Sequence, residues 1–345
     1  MKKIKILIAI FLVGVLNFSC SGDDDGGGMD NLSVVGTWEV LSGTNFENAV
    51  NFVFKSDNTF AILYQDELGF RDVQSGNYSD NTDSSQLTMQ FFIATLVNYN
   101  LEGDQLNLNF SDGETVTLRR TQDNPEANWI TNLTILQEGN APWTEDSDIA
   151  WNGTHILLGN GYEVEDIGLI NPETLELDDV ITTTESAFAV EVEKSNFADR
   201  YIFKSDNGFS KYMFYTEDTE TYVGESTDLG PWINGIASVG NSDVWVSSGN
   251  NNALYLHDYA SDLIEKTIDL GDRSADGLDY QDGFLYVCSQ GNLYKCDVSG
   301  SDIIITDTYG LPGYVINGVA FDGSNFWVNA IQGNQGKLIK INLSL

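Results

Sequence analysis

Histidine occurs only twice in this chain, at His155 and His257, and that scarcity removes two common chemistries. Zinc centres built on several imidazoles and Ser-His-Asp triads both need histidines that the sequence does not supply. Basic residues are also sparse: 16 lysines and arginines stand against 52 aspartates and glutamates, for a net charge of −36. Nucleic acid binding requires clustered Lys and Arg to neutralise phosphates, so it is excluded. There is no Walker loop, no dinucleotide fingerprint and no loop of EF-hand spacing. Three cysteines cannot make a disulfide framework. Sustained helical periodicity is missing too. Short alternating runs bounded by Gly, Asn, Asp and Ser fill the chain instead, which makes the class all-β.

The N-terminus reads as an address. Lys2, Lys3 and Lys5 precede "ILIAIFLVGVL", an apolar run of signal-peptide length that is too short to span a bilayer comfortably. Residues 1–19 form this leader, and Ser19 stands directly before Cys20. Leu16 lies one place further from Cys20 than a lipobox leucine usually does, with Asn17 and Phe18 between. This loose arrangement resembles the lipoboxes of Bacteroidetes lipoproteins, which implies lipidation (palmitate) of Cys20 and membrane attachment through its acyl chains. Residues 20–31, with "SGDDDGGG", cannot bury enough apolar surface to offset their ordering entropy and form a flexible tether. Asp23, Asp24 and Asp25 resemble the surface-export signal of such lipoproteins, implying an outer-membrane protein facing outward. A plain periplasmic tether is the alternative.

Two architectures follow. Between residues 32 and 120 eight short strand patterns, from "TWEVLS" to "TVTLRR", are separated by turns such as "KSDNT", "EGDQ" and "SDGE". That is the pattern of a meander closing into a small barrel. Gly36, Thr37 and Trp38, followed by "FVFKSDNTF" and a closing "TLRR", resemble lipocalin-like domains of Bacteroidetes lipoproteins. The Gly bends the first strand, Trp38 plugs one end, and Arg119 or Arg120 stacks on the indole. Inward Phe, Leu and Tyr fill so narrow a barrel; an apolar ligand cavity is the alternative reading.

Residues 121–345 repeat. Gly235, Gly277 and Gly318 stand 42 and 41 residues apart, and Trp245, Tyr286 and Trp327 are spaced 41 and 41. A period in the low forties with three or four strands is one propeller blade, and the 218 residues from Asn128 onward hold five. The last unit has only three strands, so a strand from 128–139 closes the ring. The pattern "DIAWNGTHILLGNG…IGLINPETLEL" resembles propellers of the glutaminyl cyclase and virginiamycin B lyase type. The resemblance implies the fold and transfers no active site.

Three loops entering inner strands carry aromatics, Trp143, Trp232 and Tyr314, the first two directly after a proline. Converging at the channel mouth, they offer a platform for a glycan, peptide or protein ligand, or else they pack between blades. Ser147, Asn234, Asp276 and Asn317 open the inner strands, with Asp148 and Asp279 close by. They form a partial ring of oxygens for an axial cation such as calcium, or simply turn the chain into each strand. No cofactor or metal is assigned. Asp276, Asp279, Glu191 and Glu193 offer carboxylate pairs for acid and base work, which keeps open an enzyme resembling glutaminyl cyclase or a propeller lyase. Cys288 and Cys296 flank a hairpin turning near Gln290, Gly291 and Asn292, as a disulfide or two buried thiols. The expectation is a binding protein, with the enzyme and an apolar-ligand carrier as rivals.

Overall fold

The structure, a computed structural model, describes residues 33–43, 46–90, 93–143, 147–160, 166–183, 187–193, 200–205, 211–216, 221–230 and 232–343. Cys20 and Asp23, Asp24 and Asp25 therefore lie outside the described residues. Among the described residues no helix is long and apolar enough to cross a membrane.

Eight antiparallel strands close the first architecture: β1 (Gly36–Gly43), β2 (Ala49–Phe54), β3 (Thr59–Gln65), β4 (Arg71–Asn81), β5 (Gln86–Gln90), β6 (Ala94–Glu102), β7 (Gln105–Phe110) and β8 (Thr115–Thr121). Closure runs through β1 and β8, where Trp38 pairs with Arg120. The interior is filled: Trp38, Phe52, Phe54, Phe60, Met89, Leu108 and Leu118 pack on one another. Gly36 has φ +139, and a Cβ there would come within 2.6 Å of Arg120 Nη1. That vacancy lets the guanidinium lie 4.2 Å over the Trp38 ring while donating to Val35 O. The indole Nε1 donates to Val34 O at 2.7 Å, so the plug has no unsatisfied polar atom.

After the short Pro125–Asn128 turn come β9 (Thr131–Asn132) and β10 (Thr134–Asn140), which join the last two of the five blades that follow. Blade 1 is β11 (Ile149–Trp151), β12 (Ile156–Gly159), β13 (Asp166–Ile170) and β14 (Leu177–Thr182). Blade 2 is β15 (Ala187–Glu193), β16 (Arg200–Ser205), β17 (Tyr212–Thr216) and β18 (Thr221–Glu225). Blade 3 is β19 (Ile233–Gly240), β20 (Asp243–Ser248), β21 (Ala253–Asp258) and β22 (Leu263–Asp269). Blade 4 is β23 (Gly277–Gln281), β24 (Phe284–Ser289), β25 (Asn292–Asp297) and β26 (Ile304–Gly310), with β9 added in parallel. Blade 5 is β27 (Val315–Phe321), β28 (Phe326–Gln332) and β29 (Gln335–Asn342), and β10 is its outermost strand. Pairing β10 with β29 ties the last strand back to the first part of the propeller.

Barrel and propeller form one compact unit from Val34 to Leu345. The β3–β4 turn inserts Phe70, fully buried, against Tyr294 of blade 4, with ring centroids 4.7 Å apart. Arg273, entering blade 4, binds Asp66 through Nε at 2.5 Å and Asp72 through Nη2, and lies over the Phe70 ring. Tyr294 donates its hydroxyl to Arg71 O at 3.0 Å.

The disulfide reading of Cys288 and Cys296 is corrected: both thiols are free and buried. Gln290 and Gly291 both take positive φ and make a two-residue turn, setting Cys288 opposite Leu293. Cys296 lies three residues beyond that partner, so the pleat turns it to the other face of the blade. Cys288 joins the core beside blade 5 and Cys296 the core beside blade 3.

Candidate functional site at the end of the inner strands

The five inner strands, β11, β15, β19, β23 and β27, run side by side around the axis. Where they begin they leave no lumen. A Cβ on Gly277 would sit 2.4 Å from Asn317 O, and one on Gly318 2.8 Å from Ser147 O. The repeated glycines thus mark where neighbouring backbones approach too closely for a side chain.

Blade 1 breaks this rule at Asp148, whose carboxylate plugs the axis. It accepts N–H groups from four blades: Ile149 at 2.9 Å, Leu278 at 3.2 Å, and Ile236 and Val319 at 3.4 Å. Burial holds its proton affinity well above the usual carboxylate range, against the opposing pull of those donors. The residues expected to form a ring of axial oxygens stand at or near the starts of the inner strands. Ser147 donates its hydroxyl to Gly159 O, Asn329 donates to Ser147 O, and a Cβ on Gly249 would meet the Asn234 amide. Asn317 is buried, and the Asp276 N–H donates to Cys288 O. The Asn329 bond to Ser147 O ties blade 5 to the start of blade 1.

Where the inner strands end, a cavity of about 580 Å³ opens. Its lining includes Trp151, Glu191, Ser238, Asp279, Tyr280 and Phe321. Glu191 and Asp279 occupy equivalent places in blades 2 and 4. Each accepts the N–H of its own successor and one N–H of the following blade. Glu191 takes Val192 at 2.6 Å and Ser238 at 2.8 Å, and Asp279 takes Tyr280 and Phe321. Asp279 Oδ2 is shut off from solvent and has no hydrogen-bond partner among the described residues.

Both carboxyls hold protons unusually tightly. Burial pushes Glu191 up to about 8, helped by the neighbouring Asp279 charge, and burial pushes Asp279 up to about 7. Glu193, also offered by the sequence, is committed elsewhere: Arg200 Nη2 binds it at 2.7 Å and the Tyr259 hydroxyl donates to it. Asp276 does not join the pair, because it precedes β23 at the opposite end of the strand.

The three loop aromatics all belong to loops at the end where the inner strands begin, away from this cavity. Trp143 lies on blade 1, where a Cβ on Gly168 would fall 2.5 Å from its ring. Tyr314 is half-buried and donates its hydroxyl to Glu138 at 3.1 Å. Trp232 is half-buried, and its carbonyl accepts the Gly249 N–H. The rings that border the cavity, Trp151, Tyr280 and Phe321, were not singled out from the sequence, although each directly follows the second residue after a repeat glycine or its equivalent.

No protein-family model matches the chain, and no curated protein matches it. Solved structures similar in shape include the glutaminyl cyclase of Myxococcus xanthus, at 11% identity and a TM-score of 0.49 over 62% of this chain and 97% of that one. The WD40 propeller domain of Doa1 is similar at 10% identity and a TM-score of 0.40, over 89% of this chain and 94% of that one. A chain of a mitotic checkpoint complex is similar at 10% identity and a TM-score of 0.38, over 96% of this chain and 99% of that one. Likenesses this distant carry no function across.

Proposed function

We propose that this protein is a lipid-anchored binding protein, displayed on the outer membrane, that takes a small polar ligand into the mouth where its inner propeller strands end. The observation that carries the reading is the cavity itself: two half-buried acidic residues, one with an unpartnered oxygen, beneath half-buried rings. Anchoring rests on Cys20 and the Asp23, Asp24 and Asp25 run, and is checked by palmitate labelling of wild type against Cys20→Ala. The barrel supports this role as a filled, rigid base, since its interior is occupied by side chains.

Screening the leaderless chain against glycan, peptide and small-molecule arrays tests the binding role. Glu191→Gln and Asp279→Asn should each abolish capture of the ligand that wild type retains. Undiminished capture by both variants would move the site elsewhere.

A second reading is favoured by the pair's shared protonation near neutral pH, which suits acid and base catalysis. Recovery of the bound compound separates the two. Binding returns it unchanged, whereas catalysis returns a product whose formation stops in Glu191→Gln.

A further inference from the structure

The cavity that the binding reading relies on also constrains the charge of its occupant. Among the described residues its lining includes Glu191, Asp279 and Asp322 and contains no Lys, Arg or His. Among the described lining residues an anion would meet three carboxyls and no cationic side chain, in a protein whose net charge is already −36. Asp322 is neutralised by Lys340 at 2.8 Å, which leaves Glu191 and Asp279 as the groups free to receive a ligand charge. Backbone N–H groups engage both, yet Asp279 Oδ2 is unspent, buried and unpartnered. A bare metal ion fits poorly: a hard cation takes six to eight oxygens, and the carboxylates here already serve four N–H donors in a space much larger than one ion. Aromatic faces beside carboxylates instead match a delocalised or alkylated cation.

We propose that the cavity is a site for an organic cation, an ammonium or guanidinium group on a small molecule, seated on Glu191 and Asp279 beside the rings of Trp151, Tyr280 and Phe321. This rests on the binding reading above and names the ligand class of that same mouth. Binding is linked to protons, because Glu191 and Asp279 hold protons that a cation displaces. The charged and titratable groups facing the pair leave that linkage intact. Asp148, further along the axis, is itself held toward its protonated form by burial; Glu193 on β15 is offset by Arg200; and Asp322 after β27 is offset by Lys340. Tyr286 and Cys288 on β24 have their own ionisation suppressed by burial, and Tyr280 on β23 borders the cavity.

The test is calorimetric titration of the leaderless chain with methylguanidinium, ethanolamine and choline, beside glucose, acetate and calcium chloride, at pH 6 and pH 8.5. At least one organic cation should bind, about tenfold or more tighter at pH 8.5. Repeating the titration in buffers of different ionisation enthalpy should show net proton release at pH 6. Glu191→Gln and Asp279→Asn should each weaken binding about tenfold or more while the circular dichroism spectrum stays that of wild type. Calcium binding in preference to the organic cations overturns the ligand class, as does binding without proton release. If no cation binds but a neutral array ligand is lost in Glu191→Gln, this inference fails and the binding reading stands. If no ligand of any class responds to either variant, both fail.

Discussion

The barrel and the propeller both close β-sheets around an axis, and they treat that axis in opposite ways. Eight tilted strands leave the barrel an interior wide enough for side chains, and Trp38, Phe52, Phe54, Phe60 and Leu108 fill it. Five inner propeller strands converge until their backbones touch, so the axis there admits only Gly277, Gly318 and the single carboxylate of Asp148. A few residues further on they diverge, and the space is lined by Glu191 and Asp279. The first axis is filled by an apolar core, and the second is lined by carboxyls.

The largest test of that contrast removes the barrel plug. Trp38→Ala empties a fully buried indole site and leaves Arg120 without its ring, and should lower unfolding free energy by about 3 to 5 kcal/mol in urea titrations. Next comes the seam between the two architectures. Arg273→Ala strips Asp66 and Asp72 of their buried partner and should cost about 3 kcal/mol. It should also separate one calorimetric transition into two, while a single unshifted transition would show that the seam contributes nothing. On the propeller axis, Asp148→Ala leaves four N–H groups without their acceptor and should cost about 2 kcal/mol. Asp148→Asn should recover part of that loss. Smallest of all, added dithiothreitol should leave the melting temperature unchanged, since both Cys288 and Cys296 are already thiols.

Much of the scaffold was legible because period and pleat are local signals. Eight alternating runs marked the barrel, and the spacing of Gly235, Gly277 and Gly318 marked the blades. The stacking of an arginine on Trp38 followed from closure of a barrel whose last strand ends in "TLRR". The site was harder to read because it consists of exceptions to the repeat. Asp148 stands where three other blades carry glycine, and Asp279 stands two residues after a glycine, where blades 1, 3 and 5 carry Ala150, Ala237 and Ala320. Glu191 holds that same place in blade 2, where the glycine is Ala189 and the repeat is too worn to align by eye. The loop aromatics are conspicuous in sequence, whereas the packing of Trp143 against Gly168 and the Tyr314 bond to Glu138 depend on contacts between separate strands. The seam through Arg273 joins residues about 200 positions apart, a separation no local pattern encodes.

The central claim, that the propeller axis carries a proton-holding carboxyl pair where the barrel carries a core, is tested most directly by unfolding free energy as a function of pH. In the native state Glu191 and Asp279 keep protons that the unfolded chain has given up above about pH 4, so the native state binds more protons between that value and about 8. Wild-type stability should therefore fall as pH rises from 5 to 8, more steeply than that of the Glu191→Gln/Asp279→Asn double variant by on the order of 3 kcal/mol across the interval. Parallel curves for the two proteins would contradict the account.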